Sequence, residues 1–183
     1  MLQHLSLTDN PVCSHASAPV PNGLVLVAIG NSLRGDDGAA ARLAAMFKKL
    51  PLSERVCCFD IGIYTGYLGK CLSGHKAAII LDATQNGTAA GTVSIMDLRK
   101  WLERKSLTGV SARSSHGLSF GDELRFAAKT DSLPETMIFF GIEAGGDCLS
   151  DKLSENLERK LPNVLSSLSG LAKSLLEENE ADA

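Results

Sequence analysis

The sequence predicts a three-layer α/β/α domain on a mixed five-stranded sheet with one antiparallel strand. Three observations carry this reading. Five short apolar runs punctuate the chain, helix-patterned stretches separate most of them, and one link between runs is too short for a parallel crossover. The pattern occupies residues 23–176. Residues 1–22 are polar and broken by Pro11, Pro19 and Pro21, so a loose N-terminal arm is expected there. Residues 177–183 are acidic and expected to fray.

Leu24–Ile29 is an apolar run ending in glycine, the pattern of a buried strand. Asp37–Leu50 has Ala40, Leu43, Ala44 and Phe47 at helical spacing behind a capping-type Asp. Arg55–Asp60 is a second strand, and 67–72 a short helix. Ala77–Asp82 (AAIILD) has the unbroken apolar character of a strand covered on both faces. Thr92–Met96 is the fourth strand. Only about nine residues, Ala83–Gly91, precede it. A parallel crossover needs roughly a dozen or more, so this strand runs antiparallel. His116–Lys129 suits a helix and Met137–Ile142 a fifth strand. Leu149–Leu176 closes the pattern as a long amphipathic helix, with Leu149, Leu153, Leu157, Leu161, Leu165 and Leu168 on one stripe and Pro162 as a possible kink.

Composition narrows the function. The chain has 183 residues, 44% hydrophobic and 21% charged, with net charge −3. A protein that grips nucleic-acid phosphates carries a basic excess, absent here. No apolar stretch reaches the roughly 18 residues of a membrane span, and the N-terminus lacks a signal-peptide pattern. Cytoplasm is therefore the expected location. Five cysteines, an odd number without a CxxC pair, fit reduced thiols in or near the core.

The chemistry-bearing residues gather after the first strand, in Gly30-Asn31-Ser32-Leu33-Arg34-Gly35-Asp36-Asp37-Gly38. The spacing matches neither GxGxxG nor GxxxxGK[ST]. Two acids at a helix start would also repel a phosphate from the positive end of the helix dipole. A cation suits this loop better than an anion. Sites in open α/β sheets form at the carboxyl ends of strands. With the third strand beside the first, Asp37 and Asp82 share one crevice. Capping remains an equal reading for Asp36 and Asp37, one of which is expected to cap. A turn role remains open for Asp82. Asn31 is read as a loop brace. Of the four histidines, His4 and His15 lie in the arm and His75 ends the short helix beside Gly74, which leaves His116 near the strand ends. Two carboxylates and an imidazole suit a borderline divalent ion such as Zn²⁺ or Ni²⁺, with coordination positions left open.

Four pieces of the chain, in this order, resemble the [NiFe]-hydrogenase maturation proteases. They are VLVAIGNSLRGDDGAA (25–40), IILDA (79–83) followed by Gly91-Thr92, SSHGLSFGDEL (114–124), and the late strand Phe140-Gly141-Ile142-Glu143. The resemblance covers about Leu24–Leu168. It implies a phosphorylase/hydrolase-like mixed sheet and a catalytic, metal-contacting triad of Asp37, Asp82 and His116, with Asn31, Asp36 and Gly38 supporting the loop. It implies an endopeptidase that cuts the C-terminal extension from a hydrogenase large-subunit precursor after nickel insertion. The nickel would come with the substrate, with no resident organic cofactor and no HExxH zinc motif. The partner would be that precursor, with no nucleic acid or membrane, and the protein a monomer or weak oligomer.

The chain also departs from the family's pattern. Asp37 stands where many members have Glu, Ala39-Ala40 where a further Gly is common, Asp60-Ile61-Gly62-Ile63-Tyr64-Thr65-Gly66 where Asp-Gly-Gly-Thr is usual, and Ala144 where Pro is frequent. These changes bear on the substrate-facing surface more than on the triad. Two other readings stand beside the protease: a non-cleaving, metal-responsive chaperone of the nickel-loaded subunit, and, further behind, a flavodoxin-like or nucleotide-binding domain.

Overall fold

The structure, a computed structural model, describes residues 23–105, 120–130, 133–146 and 148–181. Five strands, β1 (Leu24–Ile29), β2 (Val56–Gly62), β3 (Ala77–Thr84), β4 (Val93–Asp97) and β5 (Thr136–Glu143), form one sheet in the order β2-β1-β3-β5-β4. The β1–β2, β1–β3 and β3–β5 pairs are parallel, and β4 alone runs antiparallel, against β5. The predicted fold class and the reversed fourth strand both hold.

Alternation along β1 builds the two cores. Leu24, Leu26 and Ala28 face α1 (Ala39–Phe47) and α5 (Glu155–Ala181), through Leu43 and Phe47 of the first helix and Leu161, Val164 and Leu168 of the second. Val25, Val27 and Ile29 face the other layer: α2 (Leu68–Leu72), α3 (Leu98–Lys105) and α4 (Phe120–Thr130), which contribute Leu68, Leu72, Leu98 and Leu124. Every β1 residue is buried, as are the first five of β3. A parallel strand covered on both faces needs such a continuous apolar run.

Four expectations change. The last helix starts at Glu155, not Leu149. Ser154 caps it, its Oγ accepting from Leu157 N–H at 3.3 Å, and Leu149 is 93% exposed outside it. Pro162 lies inside the unbroken helix on its exposed face, where the missing N–H costs least. The helix also continues through Glu177 to Ala181, with Leu175 and Leu176 buried and Glu180 paired to Arg55. Helix α3 was not expected. Asp97 caps it, accepting from Lys100 N–H at 3.0 Å.

The 1–22 arm lies outside the described residues. Cys57, Cys58, Cys71 and Cys148 form no disulfide among the described residues; burial pushes the Cys58 thiol up to about 11. No described helix is long and apolar enough to cross a membrane.

Candidate active site

The site forms where β1 leaves the sheet. Gly30 has φ +143°, and a Cβ there would sit 2.2 Å from the Asp37 carbonyl oxygen. Only glycine permits this reversal. The loop then braces itself. Asn31 Oδ1 accepts from Leu33 N–H at 3.0 Å, and Asn31 N–H donates to Asp37 Oδ2 at 2.8 Å. Gly38 is buried, and a Cβ there would come 3.0 Å from Ser32 Cα.

Asp36 and Asp37 then part company. Asp36 is buried and turns toward the segment that precedes α5. Its carboxylate accepts from Ser154 N–H at 2.7 Å, Ser154 Oγ–H at 2.9 Å and Gly145 N–H at 2.7 Å. Gly145 must be small, because a Cβ there would lie 3.0 Å from Asp36 Oδ2. Neither acid caps the helix that follows. Gly38 occupies the α1 N-cap with no side-chain cap bond, which corrects the capping expectation. Both side chains are drawn elsewhere, Asp36 to Ser154 and Asp37 back to Asn31.

Asp82 lies on β3, next in the sheet to β1, and pairs with Gly141 of β5. Burial pushes its carboxyl up to about 7. Its bond from Ala83 N–H, 2.8 Å, works the other way, and the negative charge of Asp37 adds to the rise. The two acids thus act on each other at the carboxyl ends of adjacent strands, as the sequence anticipates. His116 lies outside the described residues. His75 precedes β3, at the opposite end of that strand from Asp82, and burial pulls its pKa down. Among the described residues, no group of three His, Cys, Asp or Glu side chains converges into a metal cage.

Glu143 went unrecognised as a structural residue. At the end of β5 it is 2% exposed, and its Oε1 accepts from Asn86, Gly87 and Thr88 N–H at 2.8, 2.7 and 3.0 Å. Oε2 accepts from Thr84 Oγ1–H at 3.0 Å. The Asn86 bond leads the set of donors that holds this carboxyl below its ordinary value. Glu143 therefore ties down the loop that leaves Asp82. Its partners lie 55 to 59 residues upstream. No local pattern announces such a contact. A separate cleft of about 710 Å³, lined by Ser32, Gly38, Arg42, Lys152, Glu155 and Arg159 among others, flanks the same loop, but neither Asp37 nor Asp82 lines it.

The family model described as hydrogenase maturation protease matches residues 40–170. The chain belongs to the hydrogenase maturation protease family. It is thus a peptide hydrolase of hydrogenase maturation. The match includes Asp82, His116 and Glu143 and begins just after Asp37. The chain is 27% identical over 154 residues to the hydrogenase expression/formation protein HupM of Azotobacter chroococcum, covering 81% of this chain and 72% of that one. The hydrogenase maturating endopeptidase HybD of E. coli shares its fold, with TM-score 0.68 and 20% identity over 83% of this chain and 93% of that one. So does the [NiFe] hydrogenase maturation protease HycI of Thermococcus kodakarensis, with TM-score 0.61 and 21% identity over 88% and 96%.

Proposed function

We propose that this maturation protease removes the C-terminal extension of a [NiFe]-hydrogenase large-subunit precursor after nickel insertion, with Asp37, Asp82 and His116 contacting the nickel carried by that precursor. The observation that carries this is the pairing of Asp37 with Asp82. Burial raises the Asp82 carboxyl to about 7, and the negative charge of Asp37 adds to that rise. Such a pair is a poor anion site and a good cation site, because a divalent ion displaces the proton and cancels the repulsion.

The nickel enters as part of the substrate. His116 adds the imidazole that a borderline ion prefers to an all-oxygen set. Asp37 and Asp82 would grip the ion from the enzyme side and hold the tail in register. The bound ion would polarise the scissile carbonyl or activate a water. A precursor without nickel offers the acids nothing to hold, so incomplete subunits are refused. Thiols without a disulfide agree with a reducing compartment such as the cytoplasm.

The test incubates nickel-loaded and nickel-free precursor with the protein and weighs the products. Loss of the tail from the loaded sample alone is expected. A tail retained in both, or lost equally from both, overturns the reading. Stable binding of the loaded precursor without loss of mass would favour the chaperone reading instead.

A further inference from the structure

Asp36 and Asp37 both lie in the 3₁₀ turn Gly35–Gly38. Such a turn has about three residues per revolution, so neighbouring side chains point about 120° apart. A third of a turn of rotation would exchange the two carboxylates. Local bonds resist that rotation weakly. Asp37 N–H closes the turn on Arg34 O at 3.2 Å, with the poorer hydrogen-bond geometry of a 3₁₀ helix, and α1 behind it has no side-chain cap. Two like acids side by side do not by themselves determine which one faces Asp82.

A residue 118 positions further along the chain decides it. Ser154 holds Asp36 twice, N–H to Oδ1 at 2.7 Å and Oγ–H to Oδ2 at 2.9 Å. The hydroxyl is itself aimed by α5. Its Oγ accepts from Leu157 N–H at 3.3 Å, and Leu157 is fully buried in the core under that helix. The single hydroxyl proton is then directed at Asp36. Another attachment lies before the turn, where Gly35 N–H donates to Ser150 O at 2.7 Å and Ser150 N–H to Leu33 O at 3.1 Å. That attachment fastens the backbone of the loop. Ser154, together with Gly145 N–H, grips a side chain of the turn itself. With Asp36 held on this side, Asp37 is left to the other, where Asn31 N–H meets its Oδ2 at 2.8 Å.

We propose that Ser154 is a positioning residue of the maturation site: through Asp36 it fixes the rotation of the turn and so selects Asp37 as the acid that faces Asp82. This rests on the protease reading of Asp37 and Asp82. Ser154 acts only through Asp36 and the turn. One serine thus starts α5 and sets the site, so the packing of the last helix on the core is transmitted to the opening loop.

Substitutions at Ser154 separate the latch from the helix cap. Ser154→Thr keeps both. Ser154→Ala removes both side-chain bonds. Ser154→Asp keeps a good cap for α5 but sets a carboxylate against Asp36. Cleavage of the nickel-loaded [NiFe]-hydrogenase large-subunit precursor is measured per folded protein, beside a thermal melt and the amide resonance of Asn31, whose proton reports the bond to Asp37. Ser154→Thr should keep kcat/KM within about twofold of wild type. Ser154→Ala should lower it about tenfold and Ser154→Asp at least about thirtyfold, the scale on which outer-shell partners of metal ligands act. The Asn31 amide proton should move upfield in Ser154→Ala and Ser154→Asp, as its bond to Asp37 lengthens, and hold in Ser154→Thr. Leu175→Ala, buried at the far end of α5, should lower the melt yet leave kcat/KM and the Asn31 amide unchanged.

A ranking that follows capping, with Ser154→Asp as active as wild type, would overturn the proposal. So would an Asn31 amide that stays in place in Ser154→Ala and Ser154→Asp, or an equal loss of activity in Leu175→Ala. If the wild-type protein leaves the loaded precursor uncut, the protease reading fails and the Asn31 amide alone judges the latch.

Discussion

Asp36 and Asp37 are neighbours in the chain with opposite uses, and the contrast extends to Glu143 and Asp82. Asp36 and Glu143 are closed carboxylates. Each is buried, and each spends its oxygens on several donors that fasten one loop to another. Asp37 and Asp82 are open ones. Among the described residues, each accepts one backbone N–H, from Asn31 and Ala83 respectively. A carboxylate offers about four acceptor directions, so the open pair keeps lone pairs for a cation while the closed pair has few to spare. Burial alone does not mark a functional acid; what matters is whether the protein has already used its acceptor capacity.

The largest expected effect falls on the open pair. Asp82→Asn or Asp37→Asn should abolish cleavage of nickel-loaded precursor, a loss larger than the roughly 10- to 100-fold that follows removal of a metal ligand's outer-shell partner. The fold should survive, as circular dichroism and a thermal melt would show. Full activity in either variant would remove that residue from the site and collapse the contrast. The closed pair should behave in reverse. Asp36→Ala leaves the Ser154 and Gly145 donors without their acceptor, a cost of about 3 kcal/mol. In a domain of this size that lowers Tm by on the order of 10 °C. A melt unchanged within error would show that Asp36 is not the brace described here.

Asp82 also carries a pH signature. Its folded pKa, about 7, lies above the ordinary 3.8, so the folded state binds the proton more tightly than the unfolded chain. The stability this confers is fully present below 3.8 and is lost as pH rises to about 7. Denaturant titrations of wild type and Asp82→Asn across that range should diverge, with wild type losing ground as pH rises. A constant difference would mean that Asp82 is not held protonated by its surroundings. Binding of free Ni²⁺, measured by calorimetry, should strengthen as pH rises through the same range, because the ion competes with that proton.

Much of the fold was legible because it rests on local pattern. The apolar run Leu24–Ile29 reads as a buried strand and Ala77–Asp82 as one covered on both faces, and the short link before Val93 pointed to the reversal of β4. Asp82 was placed beside the loop because β3 does neighbour β1. The closed acids were not legible. The Ser154 partner of Asp36 lies 118 residues away, and nothing at Asp36 distinguishes a brace from a cap. Leu149 and Leu153 continue the leucine spacing of α5, so spacing alone set the helix start too early, where the Ser154 cap decides it. Helix α3 escaped because its sequence, LRKWLERK, has Leu98 as its one fully buried side chain among those described.

The smallest expected effect is also the sharpest test of what a closed carboxylate does. In Glu143→Gln, one side-chain oxygen can still accept from Asn86, Gly87 and Thr88 N–H, and the new amide can donate to Thr84 Oγ1, so most of the clamp survives the change. What is lost is the charge. Donors to the ionised form hold the Glu143 carboxyl below its ordinary 4.5, so between those two values the unfolded chain binds more protons than the folded one. The charge-dependent stability is therefore fully present above 4.5 and disappears as pH falls through the lower, folded value. Wild type should melt slightly above the glutamine variant at neutral pH, and the gap should close on acidification. A gap that ignores pH would mean that geometry alone, without the charge, holds the loop behind Asp82, and the closed carboxylates would then differ from the open ones in shape rather than in electrostatics.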